Sequence, residues 1–422
     1  MNQRFNRFMQ QHTFIRQVTL LAGGTVLAQI INLSILPVLT RLYTPSDFGH
    51  FAIMSAIAVL GSAIVTLRYE NAILTEDTIE SARMGVYSIF WLSSIIGVSA
   101  ALFLTGSYFI SVVSRQYFLI GLIAIVFMVT SAWMQALYFY CNRNSNYKVM
   151  TKGRIYGALF LAFISISWGL WVESYWGLLL ASLASIVVNL IYLYNVSVDI
   201  SIVEFFSHRS DFSRFLIRNR RFPQFLLVSS LIDRAGSQGY IILFTKVFGE
   251  SVTGALSLYN KVAGLPSVLI GSAIGDVFKR NASEQLRSSG QCIKLFYKTS
   301  ATLFLISLCP FLLLLFFGPI IFSTIFGSEW GVAGQYAQIL APAFLLGFVV
   351  SPLSTLIYLE NNQKYDLILQ LILVALLVIT LTLAIIYGDV YTTVTAYSFS
   401  YVSKYIIEAT VCWRIASGKF NK

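Results

Sequence analysis

Three basic side chains in this 422-residue sequence sit where a membrane tolerates them least. Arg234, Lys261 and Lys404 each lie near the middle of an apolar stretch long enough to cross a bilayer as a helix. A Lys or Arg at that depth costs about 2.5–3.5 kcal/mol on insertion scales. The three together cost on the order of 8–10 kcal/mol unless solvated or paired, so they do not face lipid. Only Asp233 and Glu408 lie at comparable depth. Lys404 and Glu408 are spaced i,i+4 and can pair on one helix face. Even with both acids ionised and paired, one cation is left over. The chemistry implied is electrostatic capture of an anionic group. Lys261 is the leading candidate, because no acid lies within a turn of it in sequence. The competing reading is that the five charges pair between helices and hold the second half of the chain together.

These residues depend on the spans that carry them. The chain is 57% hydrophobic and 11% charged, with a mean hydropathy of +0.74, which lies outside the range of soluble domains. Spans are expected at roughly 18–39, 48–67, 84–106, 117–138, 156–172 and 177–194. After a polar, basic stretch they resume at roughly 224–245, 252–274, 299–322, 332–358, 366–387 and 393–413. The expected fold class is an all-α polytopic membrane protein of about twelve transmembrane helices in two six-helix lobes, related by a pseudo-twofold along the membrane normal.

Charge sets the orientation. Of the 29 Lys and Arg residues, only Arg41, Arg115 and Lys246 fall in odd-numbered connections, and only Arg234, Lys261 and Lys404 within spans. All the others fall at the N-terminus, in even-numbered connections or at the C-terminus. Cytoplasmic loops hold such an excess, so both termini are expected inside a bacterial cytoplasmic membrane. The domain reading follows: a cytoplasmic segment 1–17, a six-helix lobe 18–194, a basic amphipathic linker 195–223, a second lobe 224–413 and a tail 414–422. Arg4, Phe5, Phe8, Met9 and Phe14 suggest a short interfacial helix, and no cleavable leader is expected. The net charge of +11 reads as anchoring to anionic lipid headgroups, not as nucleic-acid binding, because the basic residues flank spans.

The residues 39–53, which hold "LTRLYTPSDFG", lie over 244–258 without gaps. Thr40 matches Thr245, Arg41 matches Lys246, Tyr43 matches Phe248, Ser46 matches Ser251 and Gly49 matches Gly254. Both halves thus end a helix on a basic residue and open the next near a Gly across a tight turn. Transporters built from such parallel repeats place their site between the halves. Pro37, Gly264, Pro266, Gly271, Pro310, Pro319, Pro342 and Pro352 interrupt spans, and the eighth span carries both a break and Lys261. Trp168, Trp171, Trp176 and Trp330 fall near outer boundaries and read as interface anchors.

Several chemistries find no support. There is no P-loop and no H-E-x-x-H motif. Cys141, Cys292, Cys309 and Cys412 show no pair spacing, and His12, His50 and His208 are far apart, so neither metal nor cofactor is expected.

The stretch from Ala22 to Leu74, with Pro37, "LTRLYTPSDFG" and "LRYENAIL", resembles the start of Wzx-type O-antigen and capsule flippases. Weaker similarity continues through the arginine-rich sixth connection and "GALSLYNKVAGLPSVLIGSAI" at 254–274. That resemblance implies two six-helix lobes in a V, in a superfamily shared with multidrug exporters and lipid II flippases. It implies translocation of an undecaprenyl-pyrophosphate-linked oligosaccharide from the inner to the outer leaflet. It also implies membrane lipids and a polysaccharide polymerase with its chain-length regulator as partners. On this analogy Arg234, Lys261 and Lys404 contact the anionic headgroup, Arg41 and Lys246 receive it at the outer end, and Arg68 attracts it from the inside. Asp233, Glu408 and Glu70 would then pair with cations or serve coupling.

Two rivals are weaker. A cation-coupled multidrug exporter needs a deep carboxylate, which the first half lacks. A membrane polymerase or ligase needs a large external loop, and the expected external loops are short.

Overall fold

The computed structural model describes residues 23–112, 114–172, 174–197, 209–359 and 363–418. The expected N-terminal interfacial helix, much of the linker and the end of the tail lie outside the described residues. Those described are all-α, with no strand among them.

The chain begins with α1, Gly23–Leu42, which turns at Ile35 just ahead of Pro37. A proline inside a helix removes one backbone hydrogen bond and crowds the preceding turn. Next comes α2, Pro45–Thr66. Thr44 and Asp47 cap it reciprocally: the Thr44 N–H donates to Asp47 Oδ2 at 2.9 Å, and the Asp47 N–H donates to Thr44 Oγ1 at 3.3 Å. Pro45 occupies the first helical position, where its missing N–H costs nothing. A short α3, Glu70–Thr75, leads to α4, Ile79–Phe109, α5, Arg115–Arg143, α6, Tyr147–Trp171, and α7, Trp176–Val196. The linker contributes α8, Arg209–Arg218.

A π-helical turn at Phe222–Leu227 introduces α9, Val228–Phe248. The helix α10, Glu250–Pro266, passes through a π-turn, Ser267–Gly271, into α11, Ser272–Ser289. The bend there is 41°. The remaining helices are α12, Ile293–Phe326, α13, Gly331–Leu353, α14, Gln363–Tyr387, and α15, Val390–Ala416.

Each expected span overlaps one of these helices, except the eighth, which crosses the break from α10 into α11. Among the described residues, 9 helices are long and apolar enough to cross a membrane, or 10 with the bent pair. The two expected spans that fall short are α9 and α15, which carry Asp233 with Arg234 and Lys404 with Glu408. Their charges dilute the apolar signal, and they are also where function was expected.

Contacts divide the chain into two units. The first holds residues up to Tyr43 and His50–Ile242; the second holds Thr44–Gly49 and Leu243 onward. The first has a core around Tyr69, Ile73, Val86, Tyr140, Met150 and Leu193. Phe215 of α8 is buried in that core, and the Tyr69 hydroxyl donates to the Leu216 carbonyl at 3.1 Å. This end of the linker is therefore part of the first unit. The second unit packs around Phe278, Phe296, Phe344, Phe348 and Leu356. Trp330, expected as an interface anchor, is instead 1% exposed in that unit, edge-on to Phe48 at 4.9 Å between ring centroids. Trp171 is 88% exposed.

Candidate functional site

In the second unit, Lys261 sits on α10, a turn and a half before the break at Pro266. Side chains tilt toward the N-terminus of their helix, which carries the ammonium back toward the start of α10. There it lies over the Phe48 ring, 5.2 Å from the centroid. A cation over an aromatic face is stabilised by the ring quadrupole. Phe48 is held in turn by Trp330, so the cation rests on a rigid aromatic platform.

Lys404 and Glu408 form an ion pair at 2.7 Å on α15, with side-chain exposures of 18% and 6%. The Lys404 ammonium also lies 4.6 Å from the Tyr405 ring centroid. Tyr397, Tyr401 and Tyr405 run along α15 at helical spacing, with successive centroids 4.9 and 6.1 Å apart. The sequence reading passed over this aromatic stripe, although its i,i+4 spacing is visible there. Lys246 is exposed in the last turn of α9, and Arg41 donates to the Pro37 carbonyl at 2.7 Å in the last turn of α1. Both cations thus sit at the negative end of a helix dipole.

The first unit holds Arg41 and the rest. Arg234 donates to the Val59 carbonyl and, at 2.7 Å, to the Ser62 hydroxyl, both on α2. The side chain of Asp233 lies outside the described residues. Arg68 pairs with Glu70 at 3.1 Å, and Glu70 is fully buried. Leu67 and Arg68 form this corner with positive φ angles of 47° and 63°. Such angles strain residues that carry a Cβ, by roughly 1–3 kcal/mol each. On the same end of the unit, Glu76 accepts from Arg218 and, at 2.9 Å, from Asn219. Burial raises the Glu76 pKa, but these donors outweigh it and hold the carboxyl below its ordinary range.

One feature of the first unit was not anticipated. The expected fifth span begins at 156, which puts Arg154 in a loop. Instead α6 begins at Tyr147, after Ser145 in the left-handed region with φ 57°. Arg154 is therefore two turns inside a helix. It lines a cavity of about 420 Å³ together with Tyr138, Gln135, Ser131, Asn189 and Phe127. Arg154 donates to the Thr25 and Tyr138 hydroxyls and lies 4.7 Å from the Tyr138 ring centroid. Among the described residues, no acidic one lines the cavity. Among the described residues, no group of three or more His, Cys, Asp and Glu could hold a metal ion.

The architecture resembles several solved transporters. The lipid II flippase MurJ, in an inward closed conformation, superposes with a TM-score of 0.70 at 11% identity, over 94% of this chain and 90% of that one. A multidrug resistance MATE family transporter of the MOP superfamily, facing inward, gives 0.61 at 16% identity over 95% of each chain. A MOP superfamily transporter from Pyrococcus furiosus, described as having a binding pocket of reverse polarity, gives 0.55 at 16% identity over 96% and 95%. At these identities the likeness defines the fold alone. Among curated proteins none matches the sequence. The chain belongs to the polysaccharide biosynthesis protein family, whose profile matches residues 38–335.

Proposed function

We propose that this protein is a flippase. It moves an undecaprenyl-pyrophosphate-linked oligosaccharide, an O-antigen or capsule repeat unit, from the inner to the outer leaflet of the bacterial cytoplasmic membrane by alternating access. No bond is made or broken, and no cofactor takes part. The observation that carries this reading is Lys261, a cation on a broken spanning helix, seated on the Phe48 ring. A cation held inside a span suits an anionic headgroup and is costly to keep without a use.

In this reading Arg234, Lys261 and Lys404 bind the pyrophosphate and its sugars. Arg41 and Lys246 receive the headgroup at the outer end, and Arg68, tethered by Glu70, attracts it at the inner end. Asp233 and Glu408 balance or couple the deep cations. The lipid tail remains in the bilayer, both chain termini are cytoplasmic, and a polymerase with its chain-length regulator takes the product. Family membership supports the polysaccharide assignment. The MATE likeness is one of fold, and the multidrug reading is disfavoured because Arg154 lines the cavity of the first unit, where an organic cation would meet like charge.

The test uses cells that lack this gene but retain the upstream glycosyltransferases. Complete lipid-linked repeat units should accumulate on the inner leaflet, and the wild-type gene should move them outward. A Lys261→Ala protein of equal abundance should not. Complete units that reach the outer leaflet but stay unpolymerised would overturn the reading in favour of an enzyme.

A further inference from the structure

The cavity of the first unit has a composition that selects its ligand. Arg154 is the one charged residue among the described residues that line it. A guanidinium has five N–H donors in a fixed fork. Two bonds, to Thr25 and Tyr138, hold Arg154 in place and leave others unused. Because the Tyr138 oxygen accepts from Arg154, its own hydrogen remains free to donate. Neither the Gln135 nor the Ser131 side chain makes a hydrogen bond with the described residues.

Asn189 bounds the cavity. It is 9% exposed, its Oδ1 is enclosed by protein against Gly153, and its Nδ2 donates to Met134 Sδ at 3.4 Å. Asn189 is held there by close packing of α6 on α7. A Cβ at Gly153 would lie 2.2 Å from Asn189 Oδ1, and one at Gly157 would lie 3.0 Å from Ser185 Oγ. The volume falls in the range of small-molecule sites, roughly 300–1,000 Å³.

One cation and the uncommitted hydroxyl and amide groups of Tyr138, Ser131 and Gln135, beside the Phe127 ring, match a polyhydroxylated ring bearing an anionic oxygen group. We propose that this cavity binds an acidic sugar of the translocated glycolipid. Arg154 takes the carboxylate or phosphate, and the Gln135 amide oxygen accepts from a ring hydroxyl. The inference rests on the flippase reading and adds to it a class of sugar and a seat for it within the first unit.

The test is binding of small probes to the purified full-length protein in nanodiscs, by calorimetry: D-glucuronate, glucose 1-phosphate, D-glucose and inorganic phosphate. Saturable binding of an acidic sugar, about tenfold or more tighter than glucose, is expected. Glucuronate binding alone assigns a carboxylated sugar, and glucose 1-phosphate binding alone assigns the sugar phosphate. Asn189→Asp, which is isosteric and places a negative charge in the cavity, should weaken acidic sugars about tenfold or more and glucose much less. Gln135→Leu removes no bond that holds the fold and should weaken every sugar probe. No saturable binding of either acidic sugar to folded wild type, or inorganic phosphate binding as tightly as both, overturns the proposal. Binding unchanged in both variants does the same. The leaflet assay separates the two claims. If wild type restores outward transfer and both variants match it, the acidic-sugar site falls while the flippase reading stands; if wild type itself fails, the flippase reading falls.

Discussion

Gly49 and Gly254 meet backbone to backbone. A Cβ on Gly49 would lie 2.0 Å from the Glu250 carbonyl oxygen, and one on Gly254 would lie 1.8 Å from the Pro45 carbonyl oxygen. These are the residues that the internal repeat places in register. Each helix start uses the other's missing side chain, as small residues do wherever membrane helices approach closely.

Alanine at either position forces the two helix starts apart. Gly49→Ala and Gly254→Ala should each destabilise the protein by about 1–3 kcal/mol, read as a lower midpoint in a detergent thermal-shift assay. Gly239→Ala is the control: nothing lies within 4 Å of its added Cβ, and a mid-helix Gly→Ala change should gain up to about 1 kcal/mol. Equal midpoints for all three proteins would refute the close approach.

The Lys404–Glu408 pair allows structure and transport to be separated. Lys404→Met leaves a buried carboxylate without its cation and should cost about 3–5 kcal/mol of stability. Replacing both, as Lys404→Met with Glu408→Leu, should recover most of it, because an apolar pair of similar volume is often as stable as a buried ion pair. Export should stay lost in the double variant. Recovered export would reduce Lys404 to a structural partner.

The Glu76 contact with Arg218 and Asn219 makes the seating of α8 depend on pH. The folded pKa is held below its unfolded value. The ionised carboxylate therefore favours the folded state above the ordinary carboxylate range, and that contribution is lost as pH falls through the depressed value. Hydrogen-exchange protection across 209–218, corrected for the intrinsic pH dependence of amide exchange, should fall at acidic pH in the wild type. In Glu76→Gln the protection should be lower already at neutral pH and nearly flat with acidification. A wild-type profile with no acid limb would exclude the carboxylate as the clasp.

At Lys261 the charge, not the shape, is expected to matter. Lys261→Arg, which keeps a cation over Phe48, should retain part of the export activity, whereas Lys261→Met should abolish it at equal abundance. Equal export by both variants and wild type would remove Lys261 from the path.

Much of the fold was legible because its signals are local. About twenty apolar residues must form a helix to satisfy their backbone in lipid, and Pro37 and Pro266 interrupt theirs for steric reasons that need no tertiary context. The i,i+4 spacing of Lys404 and Glu408 likewise needs only helical geometry. The first-unit cavity was hidden for an equally physical reason. Hydropathy places a helix end where apolar residues stop, yet α6 runs on through polar residues to Tyr147. That shift carries Arg154 from a loop to a wall. Asn189 is a single amide in an apolar helix, and nothing local marks it as bounding a cavity. The seating of α8 was missed because Phe215 and Glu76 meet their partners only through tertiary packing.

The second unit is not a continuous stretch of chain. It takes Thr44–Gly49 from the start of α2, and that hexapeptide brings in Phe48, against which both Trp330 and Lys261 rest. A gene cut in the linker would thus yield a C-terminal fragment with an empty aromatic socket, and co-expression of the two fragments would have to restore one turn of helix in trans.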